Sequence, residues 1–315
     1  MKLTLRWNVA VYLGVYYRAV FWTCLQHLPE AIPLEVTNES ACGEWASWIP
    51  PRTDPAVVMQ VVSKDYVDLQ RNYIRLMELN SAFTRQHIFL MCLENVSVSI
   101  LASWGIRCVP LDTLNLHTHK DLWTTRVRVL RCLVKEGYDV ILSDSDALWL
   151  GDPVEYIDLS SSSSSVIASR GGYPRNIGSE WGSTMCMGFA MFRATGAAMD
   201  TFQDAMERIV LETGDDRIAV NQAALELGIV WNADSDMRYG KSTGFGKGAI
   251  TGLSGDDGES FEITLLPHNK FTRHCAGTPI TNETVVAHCF HRKAASAKTS
   301  WMQQLDLWST HGSRS

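Results

Sequence analysis

The chain has 315 residues, enough for two ordinary domains or one large α/β domain with a sizeable core. Apolar residues make up 46% and charged residues 20%, a balance that excludes wholesale disorder. A formal charge of −6 excludes a whole-protein field for holding nucleic acid, so a phosphate-bearing partner has to be met by a local site or a metal ion.

Residues 1–56 read as a leader and stem, with the catalytic domain expected over 57–315. Trp7 to Leu25 is rich in Val, Leu, Tyr, Phe and Trp, but Arg18 divides it into pieces too short to cross a ~30 Å hydrocarbon layer separately. It fits an imperfect signal-anchor, which would allow membrane anchoring, or a packed or disordered leader. Pro29, Pro33, Pro50, Pro51 and Pro55 then punctuate a stretch without periodicity, as in a linker.

From Val57 the pattern becomes regular. The β-branched run Val57 to Val62 predicts a buried strand, and Ser63 stands in a capping position before Tyr66, Leu69, Tyr73, Ile74 and Met77, which recur at helical spacing. His87 to Leu93 predicts a second strand, Asn95 to Trp104 a helix ended by Gly105, and Ile106 to Val109 a third strand. Leu122 to Glu136 predicts a helix closed by Gly137, and Tyr138 to Ser143 a fourth strand. This alternation is that of βαβ units, hence an α/β fold with a largely parallel sheet and helices on both faces. Ligands of such sheets bind beyond the carboxyl ends of the strands.

Just beyond the fourth strand stands Ser143-Asp144-Ser145-Asp146-Ala147-Leu148-Trp149-Leu150. In extended backbone, residues two apart point the same way, so Asp144 and Asp146 can aim both carboxylates at one point. Like charges that close require a positive partner, for which a divalent cation with oxygen ligands is suited. The alternative is a solvated acidic turn, but the apolar residues that follow are those of a buried segment.

The run GYDVILSDSDALWLGDP, residues 137–153, resembles the nucleotide-diphospho-sugar transferase family, the retaining glycosyltransferases that include plant cell-wall arabinosyl- and xylosyltransferases. The resemblance extends from about Val57 to Trp308. It implies a glycosyltransferase A-type (Rossmann-like) fold, a nucleotide-diphospho-sugar donor with a UDP-sugar favoured, and a Mn²⁺ or Mg²⁺ cofactor. It also implies a carbohydrate or glycoprotein acceptor and transfer with retention. Asp144 and Asp146 fall on the metal and donor-binding aspartates, and Arg126 on a basic position that reaches the donor. Arg126 reads equally as a surface arginine beside Arg128 and Arg131.

The segment VVAHCFHRKAASAKTSWMQQLDLW, residues 285–308, resembles the family's closing segment, which makes His288 the third metal ligand and Lys298 a phosphate contact. His291 and His268 are alternatives to His288. A metal and a nearby ammonium would stabilise the charge left on a diphosphate leaving group.

In TMCMGFAMFRAT, Gly188 and Phe189 match the family's Asn-x-Gly-Phe strand, with Cys186 at the polar position. In GDDRIAVNQAAL, Asp216 and Asn221 match an Asp-Gln-x-x-x-Asn segment, with Arg217 where Gln is usual. Asp216 is the candidate catalytic residue, in contact with sugar or acceptor, or else a helix-capping aspartate beside Asp215. No nucleophile is assigned. The departures at Cys186 and Arg217 keep open a catalytically silent, carbohydrate-binding or partner protein of the same fold. A nucleotide-sugar hydrolase would share the acidic pair.

The remaining signals are read as structural. Gly240 to Gly258 lacks the glycine spacing of a phosphate loop and reads as a mobile surface loop; Ser160 to Ser165 reads as a flexible link, and His117-Thr118-His119 as a loop. Trp149 is expected in the core below the acidic turn. The eight cysteines (24, 42, 92, 108, 132, 186, 275 and 289) contain no Cys-x-x-Cys pair, which leaves buried thiols or one or two disulfides. With the sequons at Asn38, Asn95 and Asn282, they point to the secretory pathway, and the family resemblance to the Golgi lumen.

Overall fold

The computed structural model describes residues 42–50, 56–111, 118–159, 163–231, 250–254, 260–274, 278–288 and 294–308. The expected signal-anchor and most of the stem lie outside these residues. Among the described residues no helix is long and apolar enough to cross a membrane.

The first four strands are β1 (Ala56–Val62), β2 (Ile88–Cys92), β3 (Val109–Pro110) and β4 (Asp139–Ser143). Helices α1 (Val67–Asn80), α2 (Asn95–Ser103) and α3 (His119–Lys135) connect them. They run parallel in the order β3-β2-β1-β4, the βαβ arrangement expected. Alternation along β1 explains the two-sided core. Val57 and Met59 pack with Val127, Leu130 and Leu133 of α3, whereas Val58 packs on the other face with Leu69, Tyr73 and Met77 of α1.

Two local expectations change. Only Val109 and Pro110 pair with β2, because the Ile106 amide is used at the end of α2, donating to Leu101 O at 3.0 Å. Of His117-Thr118-His119, read as a loop, His117 lies outside the described residues, while Thr118 caps α3 in a reciprocal exchange with Asp121 and His119 is the first helical residue.

Beyond β4 the sheet ceases to be parallel. The next elements are β5 (Leu148–Trp149), α4 (Val154–Leu159), β6 (Val166–Gly171), α5 (Arg175–Trp181) and β7 (Thr184–Phe192). There follow α6 (Gly196–Thr213), α7 (Asp216–Glu226), β8 (Ile229–Trp231), β9 (Ile250–Ser254) and β10 (Glu262–Leu265). Strand β7 is antiparallel to both β4 and β6, and β9 is antiparallel to β10 and β8, which gives a mixed nine-stranded sheet. The α/β class holds, with the parallel pairing of this large sheet confined to the β3-β2-β1-β4 half and the β6-β10 pair.

Within the glycine-rich stretch read as a loop, Ile250–Ser254 forms a strand. The second half of the serine tract is not a free link: Ser163 and Ser164 hydroxyls donate to the Glu262 carboxylate, and the Ser165 amide to Glu262 O at 2.8 Å.

A small second sheet, β11 (Phe271–Arg273), β12 (Val286–His288) and β5, lies in the order β11-β12-β5 and precedes the last helix, α8 (Ala295–Gln304). Trp149 on β5 is fully buried, with Tyr73, Phe83 and Phe189 edge-on at 6.1, 5.5 and 6.0 Å between ring centroids.

Disulfides Cys42–Cys132 and Cys92–Cys108 fix two of the open cysteine readings, and Cys186 is a buried free thiol. The first ties the 3₁₀ turn Gly43–Trp48 to α3, so this part of the stretch read as stem packs on the domain.

Candidate metal and donor site

The site forms where the chain passes from the large sheet to the small one. Strand β4 ends at Ser143, and a tight turn, with the Ala147 amide donating to Asp144 O at 2.8 Å, delivers the chain to β5. The two carboxylates therefore converge through a turn and not through extended alternation. Ser145 between them is turned into the interior: its hydroxyl donates to Gln70 Oε1 at 2.8 Å, and Gln70 in turn donates to Gln60 on β1.

Strand β12 pairs antiparallel with β5, Ala287 opposite Leu148, and this register carries His288 up to the turn. The sequence expectation put His288 just after a strand; it is the strand's last residue. Its Nε2 lies 3.4 Å from Asp144 Oδ2 and 3.6 Å from Asp146 Oδ1.

The other oxygen of each carboxylate is already taken by a fixed cation. Arg126 on α3 donates to Asp144 Oδ1 at 3.0 Å, and Lys298 on α8 donates to Asp146 Oδ2 at 2.7 Å. Arg126 is buried, not a surface arginine; it also donates to Met187 O at 2.8 Å, and its Nη1 lies 3.2 Å from Asp216 Oδ2. Asp216 is buried at the first turn of α7, while the cap is its neighbour Asp215, which accepts from the Arg217 and Ile218 amides. Asn221, one turn on, clamps β7 by accepting from the Met185 amide at 2.8 Å and donating to Met185 O at 3.0 Å.

Strand β7 supplies the floor. The Asp144 amide donates to Gly188 O at 2.9 Å, so β7 holds the acidic turn directly. The imidazole of His288 lies on Gly188 so closely that a Cβ there would fall 1.9 Å from Cε1 and 2.5 Å from both ring nitrogens. An isolated glycine inside a strand often marks such a close approach, whereas His288 itself was expected from the closing segment's resemblance and not from Gly188.

Two side chains that the sequence did not assign complete the surroundings. Cys186 Sγ lies 3.7 Å from His288 Nδ1, and Arg273 Nη1, at the end of β11, donates to the same sulfur. His268, an alternative ligand, is instead buried against Thr278 Oγ1 at 2.9 Å, and His291 lies outside the described residues.

The electrostatics follow from this packing. Burial pushes the carboxyl groups of Asp144 and Asp146 up, but Arg126, His288 and Lys298 at Asp144, and His288 and Lys298 at Asp146, outweigh it and keep both ionised below the usual carboxylate range. Burial pulls His288 down, and the carboxylates, Asp146 foremost, more than reverse this, so the imidazole holds its proton well above its ordinary range. Burial is the main influence on Asp216, raising it to about 6 despite Arg126.

Asp144, Asp146 and His288 each offer one ligand atom, all within 4.8 Å of one another. Octahedral coordination at ~2.1 Å sets neighbouring ligand atoms ~3 Å apart, so the 3.4 and 3.6 Å separations need only a small contraction. Two carboxylate oxygens and an imidazole nitrogen suit a divalent cation, which would take the place of the imidazole proton. The residues fit such an ion.

A histidine-completed Asp-x-Asp turn at the carboxyl end of a buried strand gives this α/β protein a group of side chains that could hold a metal ion. The model of the family described as nucleotide-diphospho-sugar transferase matches residues 115–302, about three-fifths of the 315 residues, and the chain belongs to that family. No curated protein sequence matches it.

Three solved structures trace similar paths. The apo WbbM bifunctional glycosyltransferase has 10% identity and a TM-score of 0.49 over 82% of this chain and 52% of its own. The glycosyltransferase GlyE of Streptococcus pneumoniae TIGR4 has 11% identity and a TM-score of 0.46 over 78% and 60%. The galactosyltransferase LgtC, in complex with donor and acceptor sugar analogues, has 10% identity and a TM-score of 0.43 over 82% and 97%. The chain thus spans about half the length of WbbM and nearly all of LgtC.

Proposed function

We propose that the protein transfers a sugar from a nucleotide-diphosphate donor, a UDP-sugar favoured, to a carbohydrate or glycoprotein acceptor. The observation that carries this reading is the division of labour at the acidic pair. Each carboxylate gives one oxygen to a fixed cation and turns the other toward His288. Membership of the transferase family supports it.

Asp144, Asp146 and His288 would hold Mn²⁺ or Mg²⁺, with imidazole ligation favouring Mn²⁺. When bound, the ion supplies Lewis-acid neutralisation of a diphosphate leaving group. Lys298 and Arg126, each ion-paired to one of the two aspartates, would add positive charge near the leaving group. Asp216 is assigned to contact with the sugar or acceptor, its carboxylate ion-paired to the guanidinium that also holds Asp144. Retention of configuration follows the family resemblance. The two disulfides and the exposed sequon asparagines Asn95 and Asn282 support an oxidising, secretory compartment such as the Golgi lumen.

The test is release of free nucleotide from a panel of UDP- and GDP-sugars with Mn²⁺, with and without oligosaccharide acceptors. Acceptor-stimulated release is expected. Release indifferent to acceptor would make the protein a hydrolase, and Mn²⁺-dependent donor binding without turnover would make it a silent member of the family.

A further inference from the structure

The polar position of the family's Asn-x-Gly-Phe strand holds Cys186 in this chain, and the sulfur is not turned toward open space. It lies 3.7 Å from His288 Nδ1, on the side of the imidazole away from the nitrogen that faces Asp144 and Asp146. Arg273 contacts the sulfur as a second neighbour. Gly188, two residues along the same strand, lies directly against the ring, where a Cβ would clash with it. The imidazole is therefore bridged: a sulfur at one nitrogen, two carboxylates at the other, a backbone without a Cβ beneath it.

We infer that Cys186 is the positioning residue of the metal-binding histidine, fixing through Nδ1 the direction in which Nε2 points. A histidine that ligates a metal usually needs such a partner at its second nitrogen, most often a carboxylate or a backbone carbonyl, to fix its tautomer and ring orientation. Here the partner is a cysteine held by an arginine. The inference rests on the metal site proposed above.

The assay is Mn²⁺ binding to the full chain, read from the free Mn²⁺ signal by electron paramagnetic resonance, for wild type, Cys186→Ala, Cys186→Ser and Arg273→Met. Loss of an outer partner of this kind typically costs about 10–100-fold in metal affinity. Cys186→Ala is expected to weaken Mn²⁺ binding by about tenfold or more, Cys186→Ser less because the hydroxyl can still meet Nδ1, and Arg273→Met to an intermediate extent. Excess Mn²⁺ should recover Cys186→Ala turnover without raising the donor KM. Far-UV circular dichroism of each variant separates misfolding from a changed site, and Arg273→Met, which leaves the sulfur in place, tests the bridge if Cys186→Ala fails to fold. Wild-type Mn²⁺ affinity in folded Cys186→Ala, or a raised donor KM with unchanged Mn²⁺ affinity, overturns the inference alone. A wild-type chain that binds no Mn²⁺ overturns the metal site itself, and the inference with it.

Discussion

Replacing Gly188 by alanine adds one methyl group at the most constrained point of the site. That carbon would sit 1.9 Å from His288 Cε1, whereas carbon atoms rest at ~3.5 Å or more, so ring and backbone must separate by roughly 1.5 Å. The backbone cannot supply this movement easily, because β7 is paired on both edges, with β4 and β6, and Gly188 O accepts from the Asp144 amide. The imidazole has to retreat, and its Nε2 leaves the two aspartates.

Since Gly188 does not have a positive φ, alanine brings no backbone strain, and the effect is purely steric. Overpacking costs about 1–3 kcal/mol of stability, too little by itself to unfold a typical domain. A displacement of about 1 Å at a reacting centre costs ~10²-fold in rate. Gly188→Ala should therefore remain folded, lose turnover by about 10²-fold and bind Mn²⁺ more weakly, measured by nucleotide release and by Mn²⁺ titration. Wild-type values for both in a folded variant would refute the placement of His288.

The buried Asp216 makes stability depend on pH in an unusual direction. Its carboxyl titrates near 6 in the folded chain against an ordinary value of 3.8, so protonation favours the fold: the contribution is complete below ~4 and is lost as pH rises through about 6. Asp216→Asn removes that dependence. The difference in urea unfolding free energy between variant and wild type should change by on the order of 2–3 kcal/mol between pH 4 and 7, and a difference independent of pH would contradict the buried placement. The Cys42–Cys132 bridge spans 90 residues of sequence, and replacing both cysteines by alanine should cost about 2–5 kcal/mol in the same assay. Unchanged stability would show that residues 42–50 are not held to α3 as described.

The part of this architecture written locally in the sequence was readable. Strands β1, β2 and β4 show as apolar runs, α3 as a periodic stretch ended by Gly137 with φ +85°, and the acidic turn as a charge pair closing a buried strand. What depends on distant pairing was not. His288 reaches Asp146 only because β12 pairs with β5, and neither strand is more than three residues long. The burial of Asp216 has the same origin: at a helix start it reads as a cap, and only the approach of Arg126 from α3 gives it another role. Ser163 to Ser165 carry no pattern because their order comes from one glutamate, Glu262, about a hundred residues away. Arg273 ends a three-residue strand with no motif around it, so its contact with Cys186 had no local signal.

Everything proposed for the chemistry depends on one divalent ion at the turn between the two sheets. Titrating Mn²⁺ into the wild-type chain and into Asp146→Ala, with UDP present, measures that dependence directly. The expected result is one tightly bound Mn²⁺ per wild-type chain and its loss in a folded Asp146→Ala variant, together with nucleotide release. Equal Mn²⁺ binding by the two proteins, or a folded Asp146→Ala that turns over as wild type does, would contradict a metal-held donor.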